Sequence, residues 1–400
     1  MYYSRYLEAR ITAPESGNKI QLIVGPRQSG KSTLLKHCLP SGCLTINLQD
    51  RRERIKYERN PKAFLHELEA LSVKTVVVID EIQKVPALFD DIQYFFDKNR
   101  EQFNFYLTGS STRQLKTLSA NLLPGRTHLF RLSPVLQVEQ REAVILPITL
   151  GEGRRFPVRP LDEVLLYGNL PGLYSEEKES WVDTISSYTE LYIENEIRNE
   201  NTVANISSFL MFLKLAALES GQVVNYSKLA GSVGISVNTV KNYYRILEDT
   251  YIGFRISSFG RSRRKVISAP RFLICDLGMR NSLSELPLNS SLIKLDAGHL
   301  FEQFVLIELF YRCQYLGETY KLSTWRTSTG AEVDAVIETP EEVIPVEIKW
   351  TDSPQMKDIR HLERFLELHP ALSRRGYLVC RVDKQRKLSE RILAIPWDQF

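Results

Sequence analysis

The string Gly25-Pro26-Arg27-Gln28-Ser29-Gly30-Lys31-Ser32 fits G-x-x-x-x-G-K-[ST], and its flanks constrain the fold of this 400-residue chain. The apolar run Ile20-Gln21-Leu22-Ile23-Val24 precedes it, and Thr33-Leu34-Leu35-Lys36 follows, so the segment reads as strand, loop and helix. Glycines let backbone N–H groups curl round phosphates at a helix N-terminus that already favours anions. Lys31 is placed to reach the β- and γ-phosphates and Ser32 to ligate Mg²⁺, with residues 25–33 as the cradle. Such a loop implies a site for a nucleoside triphosphate, taken here as ATP, in an α/β domain.

Forty-eight positions after Ser32, Asp80-Glu81 closes a second apolar run, Thr75-Val76-Val77-Val78-Ile79, as expected of a strand buried on both faces of a parallel sheet. Asp80 is expected to hold Mg²⁺ through water, and Glu81 to polarise the attacking water. A third strand, Phe103-Asn104-Phe105-Tyr106-Leu107, runs into Thr108-Gly109-Ser110-Ser111, where Ser110 is placed to touch the water or the γ-phosphate. Arg126, in Pro124-Gly125-Arg126-Thr127, reads equally as an arginine finger for a neighbour's nucleotide or as a plain surface arginine.

Four hundred residues exceed one core, and four segments suggest themselves. Residues 1–145 carry the ATPase motifs, 146–205 read as a helical lid or connector, 206–262 as a winged helix-turn-helix and 263–400 as a further α/β domain. No run approaches membrane-spanning length, and the N-terminus lacks the apolar core of a signal peptide. Five scattered cysteines, odd in number, read as reduced thiols and favour a cytoplasmic location. A net charge of +4 is too mild to indicate nucleic acid by itself, so the placement of charge matters more.

That placement is informative between residues 226 and 265. Tyr226 to Val233 reads as a short helix, Gly234-Ile235-Ser236 as a turn with Ser236 as cap, and a second helix follows. Val237, Val240, Tyr244 and Leu247 recur at helical spacing, leaving Asn238, Lys241, Asn242 and Arg245 on the other face. This is the pattern of a helix-turn-helix with a basic recognition face. Ile252-Gly253-Phe254-Arg255-Ile256 reads as a wing strand, and Arg261, Arg263, Arg264 and Lys265 as a basic tip suited to DNA phosphates. Winged modules also serve protein contacts, and that reading stays open.

A second set of charges lies near the C-terminus. Glu332 and Asp334 share one face of an expected strand, while Glu347 and Lys349 share a face of the strand returning after the Thr339-Pro340-Glu341-Glu342 turn. The hairpin brings Asp334 beside Glu347 and Lys349. Two carboxylates suit Mg²⁺, and a nearby lysine orients a water for attack on phosphate. Glu302, in Gly298-His299-Leu300-Phe301-Glu302, is a further candidate acid. An exposed charged hairpin face is the plainer alternative.

Together these pieces resemble a broad prokaryotic family of AAA+-type P-loop ATPases whose C-terminal domain has long been labelled as of unknown function. The resemblance covers nearly the whole chain and rests on residues 24–33, Ile79-Asp80-Glu81-Ile82-Gln83, residues 107–111, Gly125-Arg126, Gly168-Asn169-Leu170-Pro171, Gly330-Ala331-Glu332-Val333-Asp334 and Val346-Glu347-Ile348-Lys349. The C-terminal part is similar to the PD-(D/E)xK restriction-endonuclease-like fold, which includes archaeal Holliday junction resolvases. The resemblance implies that Glu302, Asp334, Glu347 and Lys349 fall on nuclease positions. It also implies a homo-oligomeric ring, a hexamer favoured, with Arg126 reaching across to the next subunit's ATP. The expected activity is an ATP-driven motor and Mg²⁺-dependent nuclease on branched DNA. The alternative is a regulatory or defence-related ATPase whose nuclease site is vestigial.

Overall fold

The computed structural model describes residues 2–13, 19–60, 62–99, 101–110, 125–142, 145–150, 155–192, 203, 205–260 and 269–400. The chain forms two compact units, one of Met1–Ser133 with Asp249–Tyr251, the other of Pro134–Glu248 with Ile252–Phe400.

The first unit is a parallel α/β sheet. In chain order it holds α1 (Leu7–Ile11), β1 (Ile20–Val24), α2 (Lys31–Cys38), β2 (Leu44–Asn47), α3 (Arg51–Arg59), α4 (Lys62–Glu69), β3 (Thr75–Asp80), α5 (Leu88–Lys98), β4 (Phe103–Gly109) and β5 (Thr127–Arg131). The strand order is β2-β3-β4-β1-β5, with every pairing parallel. Parallel strands need crossovers, and α2 to α5 supply them between the first four strands. The apolar runs at β1, β3 and β4 are buried because helices cover the sheet, with Ile79, Phe95, Phe96, Phe103 and Phe105 in one core. The register pairs Val24 with Gly109 and Asn47 with Asp80, so the C-terminal ends of β1 to β4 lie along one edge. Ligands of open α/β sheets gather at that edge.

The second unit begins with α6 (Leu161–Tyr167) and α7 (Trp181–Tyr192), the segment expected as a lid, which pack on α11 (Leu277–Leu283). Between them in sequence come α8 (Ile206–Leu218), α9 (Tyr226–Val233), α10 (Val237–Asp249), β6 (Gly253–Ser258) and β7 (Arg271–Ile274). Then follow α12 (Ser290–Leu316), kinked at Asp296, and β8 (Lys321–Arg326), β9 (Glu332–Glu338), β10 (Val343–Ile348), α13 (Arg360–Leu368), β11 (Gly376–Cys380), β12 (Arg386–Lys387) and β13 (Ile392–Pro396). An eight-stranded mixed sheet runs β12-β13-β11-β10-β9-β8-β6-β7. β8, β9 and β10 are antiparallel neighbours, while α13 carries the chain from β10 to its parallel partner β11. The hairpin β6–β7 is antiparallel, and β6 also pairs with β8, so the expected wing strand is part of this sheet.

The turn between α9 and α10 forms as its residues suggest. Gly234 adopts φ 73°, and the Ser236 hydroxyl accepts a hydrogen bond from Thr239 N at 3.1 Å. Val240, Tyr243, Tyr244, Ile246 and Leu247 are buried. Val237 departs from expectation: it is exposed rather than on the apolar face, since the first turn overhangs the core. Within the segment expected as a lid or connector, α7 is described to Tyr192. Gly151 to Arg154, Pro124 and Ser111 lie outside the described residues.

Candidate functional site

The loop between β1 and α2 is shaped by backbone that only some residues tolerate. Gly25 has φ 153°, and a Cβ there would stand 2.2 Å from Leu132 O, so the close approach requires glycine. Gly30 (φ 92°) turns the chain into α2, and Gln28 also takes a left-handed conformation. Arg5, almost fully buried, donates to Ser29 O (3.0 Å) and Ser133 O (2.9 Å), bracing the loop. Arg27 is half-buried, while Ser32 and Thr33 stand exposed on the first turn.

Inside this cradle Lys31 Nζ donates to Gly25 O at 2.9 Å and Pro26 O at 2.8 Å. Ser29 Oγ is buried without a hydrogen-bond partner. Ser32 Oγ donates to both oxygens of Asp80, at 2.9 and 2.8 Å. Thr108 Oγ1 donates to Asp80 Oδ1 and accepts from Glu81 N at 3.0 Å. Glu81 sits in the left-handed region (φ 57°), a conformation that costs a non-glycine residue energy and aims its side chain back at β4. There Glu81 Oε2 accepts from Ser110 Oγ at 2.9 Å and from Gln83 Nε2. Gln83 Nε2 lies 3.3 Å from Ser110 Oγ, while its Oε1 is buried and unsatisfied. An open cavity of about 410 Å³ adjoins Ser32, Asp80 and Thr108, reaching Asn47 at the end of β2.

The structure thus brings Gly25, Ser29, Lys31, Ser32, Asp80, Glu81 and Ser110 into one group. Thr108 and Gln83, which lie within the motifs without an assigned role, belong to it too, as does Arg5, which no motif marks. A bare backbone cradle, a buried orphan hydroxyl and a hydroxyl–carboxylate pair match the donor set that Mg²⁺ and a polyphosphate require. Arg126 is elsewhere. It pairs with Asp97 at 2.8 Å, and Thr127 beside it lies opposite Ile20, the end of β1 away from the phosphate loop.

A second group forms in the other unit. Asp334 on β9 and Glu347 on β10 are both buried, and Asp334 Oδ2 accepts from Ile348 N at 2.9 Å. Lys349 Nζ lies 2.8 Å from Glu347 Oε1, whereas Glu347 Oε2 is buried without a partner. Burial, with the charge of Glu302 next, pushes the Asp334 carboxyl up to about 6. Burial, with Asp334 next, pushes Glu347 to about 8. Burial opposes the charge on Lys349, but Asp334 and Glu347 outweigh it and raise its pKa. Arg271, from β7, enters the same place. It is 7% exposed, bonds Glu302 through Nη1 and Glu332 through Nη2, and lies 3.9 Å from Asp334 Oδ1. Arg271 carries no sequence signal, because its partners are 31 and 61 residues away. Among the described residues, no group of three His, Cys, Asp or Glu side chains is placed to hold a metal ion.

On α10, Asn238, Lys241, Asn242 and Arg245 are exposed, with Lys241 Nζ 5.5 Å from the centre of the Tyr226 ring. Arg261, Arg263, Arg264 and Lys265 lie outside the described residues. An open groove of about 710 Å³ beside α13 is lined by Lys357, Arg360, His361 and Arg364 together with Glu363 and Glu367. No helix among the described residues is long and apolar enough to cross a membrane.

Residues 17–140 match the family model of an AAA domain. That match covers every member of the phosphate-loop group except Arg5 and implies nucleotide binding, usually with Mg²⁺. Residues 158–290 and 297–400 match two models described as domains of unknown function, DUF8612 and DUF4143. The chain is similar to the uncharacterised protein Rv2008c of Mycobacterium tuberculosis, at 24% identity over 95% of this chain and 80% of that protein. It is also similar to the uncharacterised protein MJ1637 of Methanocaldococcus jannaschii, at 22% identity over 95% and 84%. Among solved structures, a RuvB variant of Thermotoga maritima aligns at 13% identity over 64% of this chain and 84% of that one. Its TM-score of 0.25 is too low to bear on fold or function.

Proposed function

We propose that this chain is a Mg²⁺-dependent ATPase of the AAA type that drives work on DNA, with a nuclease-type site in its C-terminal half. The observation that carries the ATPase is the junction of Ser32, Thr108 and Asp80 at the strand ends, with Glu81 held beside them. Bound Mg²⁺ would be held by Ser32 and Asp80 and would neutralise charge on the β- and γ-phosphates. With nucleotide bound, Lys31 would turn from its two loop carbonyls to the phosphate oxygens and balance their charge. Glu81 has Oε2 engaged by Ser110 and Gln83, and its Oε1 is the oxygen that takes the proton of the attacking water.

Two surfaces support the DNA reading. In this reading α8 to α10 act as a helix-turn-helix module with the sheet-paired β6–β7 hairpin as its wing, and α10 presents Asn238, Lys241, Asn242 and Arg245 outward. The groove along α13 adds Lys357, Arg360 and Arg364. We infer cleavage of phosphodiesters at Asp334, Glu347 and Lys349, with branched duplex such as a Holliday junction as the substrate. In a homo-oligomeric ring, a hexamer by our reading, Arg126 would leave Asp97 for a neighbour's nucleotide.

A second reading is a regulatory ATPase in which the carboxylate site is vestigial. Arg271 favours it, because a guanidinium bound to Glu302 and Glu332 adds positive charge 3.9 Å from Asp334, where a cation would otherwise supply it. The test incubates the protein with a labelled four-way junction and a matching linear duplex, with Mg²⁺ and with or without ATP. Junction-selective nicking that disappears in Asp334→Ala supports the motor-nuclease. DNA-stimulated ATP hydrolysis without any cleavage selects the second reading, and an ATPase indifferent to DNA removes the first entirely.

A further inference from the structure

The carboxylate site of the C-terminal unit contains four acids and two bases, and their pairing is uneven. Arg271 gives one guanidinium nitrogen to Glu302 of α12 and the other to Glu332 of β9. Glu332 is engaged again from the solvent side by Arg326, at 3.8 Å. A guanidinium stays charged at any physiological pH, and breaking a mostly buried ion pair to free one partner is costly. Glu302 and Glu332 are therefore poor ligands for an incoming cation.

Asp334 and Glu347 differ from them. Asp334 is oriented by Ile348 N on Oδ2, and its Oδ1 has only the distant Arg271 Nη2 at 3.9 Å. Glu347 gives Oε1 to Lys349 and keeps Oε2 buried and unpartnered, an arrangement that disfavours the ionised acid unless a cation arrives. Two carboxylate oxygens on adjacent antiparallel strands suffice for one hard cation that keeps most of its waters. A pair of ions would need further carboxylates to clamp both.

We infer that Arg271 stands where a second metal ion would otherwise bind, so that this site takes a single divalent cation on Asp334 and Glu347 while Glu302 and Glu332 serve as counter-charges to Arg271. The inference rests on the nuclease-type reading of the site, but ion count is measured apart from cleavage.

The experiment is a Mn²⁺ titration of the full-length, chelator-treated, nucleotide-free protein, followed by the electron paramagnetic resonance of free Mn²⁺. An Asp80→Asn background removes the acid of the phosphate-loop site. One ion should bind per chain, be lost in Asp334→Asn and survive in Glu302→Gln. Arg271→Gln should raise the count to two, and Arg271→Lys, which keeps the positive charge, should leave it at one. Circular dichroism melts establish that each variant is folded, and the Arg271→Lys and Glu302→Gln arms stand even if Arg271→Gln does not fold. Two ions in the background protein, none at all, or loss of the ion in Glu302→Gln would each overturn the inference, as would a folded Arg271→Gln protein that still binds one. A single ion bound as described by a protein that cuts neither junction nor duplex would sink the nuclease reading and leave the ion count intact.

Discussion

At the scale of single residues, the backbone of Glu81 decides what its carboxylate can reach. A left-handed glutamate turns toward Ser110 and Gln83, and both hold Oε2. Gln83 makes no direct claim on nucleotide, so Gln83→Ala should lower kcat for ATP roughly tenfold while leaving KM within about twofold, the pattern of a lost transition-state interaction. Glu81→Gln should cost more, about 10²–10⁴ in kcat, with nucleotide binding retained. A steady-state ATPase assay separates the two, and a Gln83→Ala enzyme that changed KM alone would remove Gln83 from the catalytic group. The C-terminal acids make a pH prediction for the metal-free protein. Glu347, pushed up by burial and then by Asp334 to about 8, keeps in the folded state a proton that the unfolded chain releases near the ordinary carboxylate range. The folded state then binds more protons, so stability falls as pH rises from about 5 to about 8. Glu347→Gln, which cannot ionise, should flatten that fall in melts taken across this window in a chelating buffer. An unchanged slope would assign the titration to another group.

At the scale of elements, the Gly168-Asn169-Leu170-Pro171 stretch shows how a motif can be legible while the partner that explains it is not. Its glycine has φ 67°, and a Cβ would fall 2.1 Å from Asp276 Oδ1. Asp276 accepts from Asn169 N at 2.6 Å and caps α11 through Met279 N at 3.0 Å, tying the end of α6 to the start of α11. Gly168→Ala should therefore destabilise the C-terminal unit by about 2 kcal/mol or more through strain and a displaced buried carboxylate. Asp276→Ala should cost a comparable amount through the lost cap and an unpaired amide. Chemical denaturation reads both, and a neutral Gly168→Ala would show that Asp276 yields easily. The stretch was visible in the sequence, but its partner lies 107 residues further on. The same contrast runs through the chain. Buried parallel strands are mostly apolar, so β1, β3 and β4 can be read directly, and the polar residues Asp80 and Thr108 mark the ends of the last two. The α9–α10 turn declares itself through Gly234 and Ser236. Thr108, Gln83, Arg5 and Arg271 act only through contacts that tertiary packing creates, and Val237 is exposed because periodicity cannot tell where a helix outruns its core.

At the scale of the whole molecule, the two candidate sites belong to different compact units, each with its own apolar core. A ligand stabilises the unit that binds it by mass action, by about 2.7 kcal/mol at a hundredfold excess over Kd. Mg²⁺ with a non-hydrolysable ATP analogue should therefore raise one part of the calorimetric unfolding profile, and Lys31→Ala should abolish that rise. Mn²⁺ alone should raise another part, and Asp334→Asn should abolish it. The crossed variants carry the argument: Lys31→Ala should keep the Mn²⁺ response, and Asp334→Asn the nucleotide response. Loss of both responses in either single variant would mean that the units unfold as one and that their sites are thermodynamically joined. Retention of the crossed responses would establish two independently loaded sites, so that any dependence of cleavage on ATP would have to arise through DNA or through assembly with further copies of the chain.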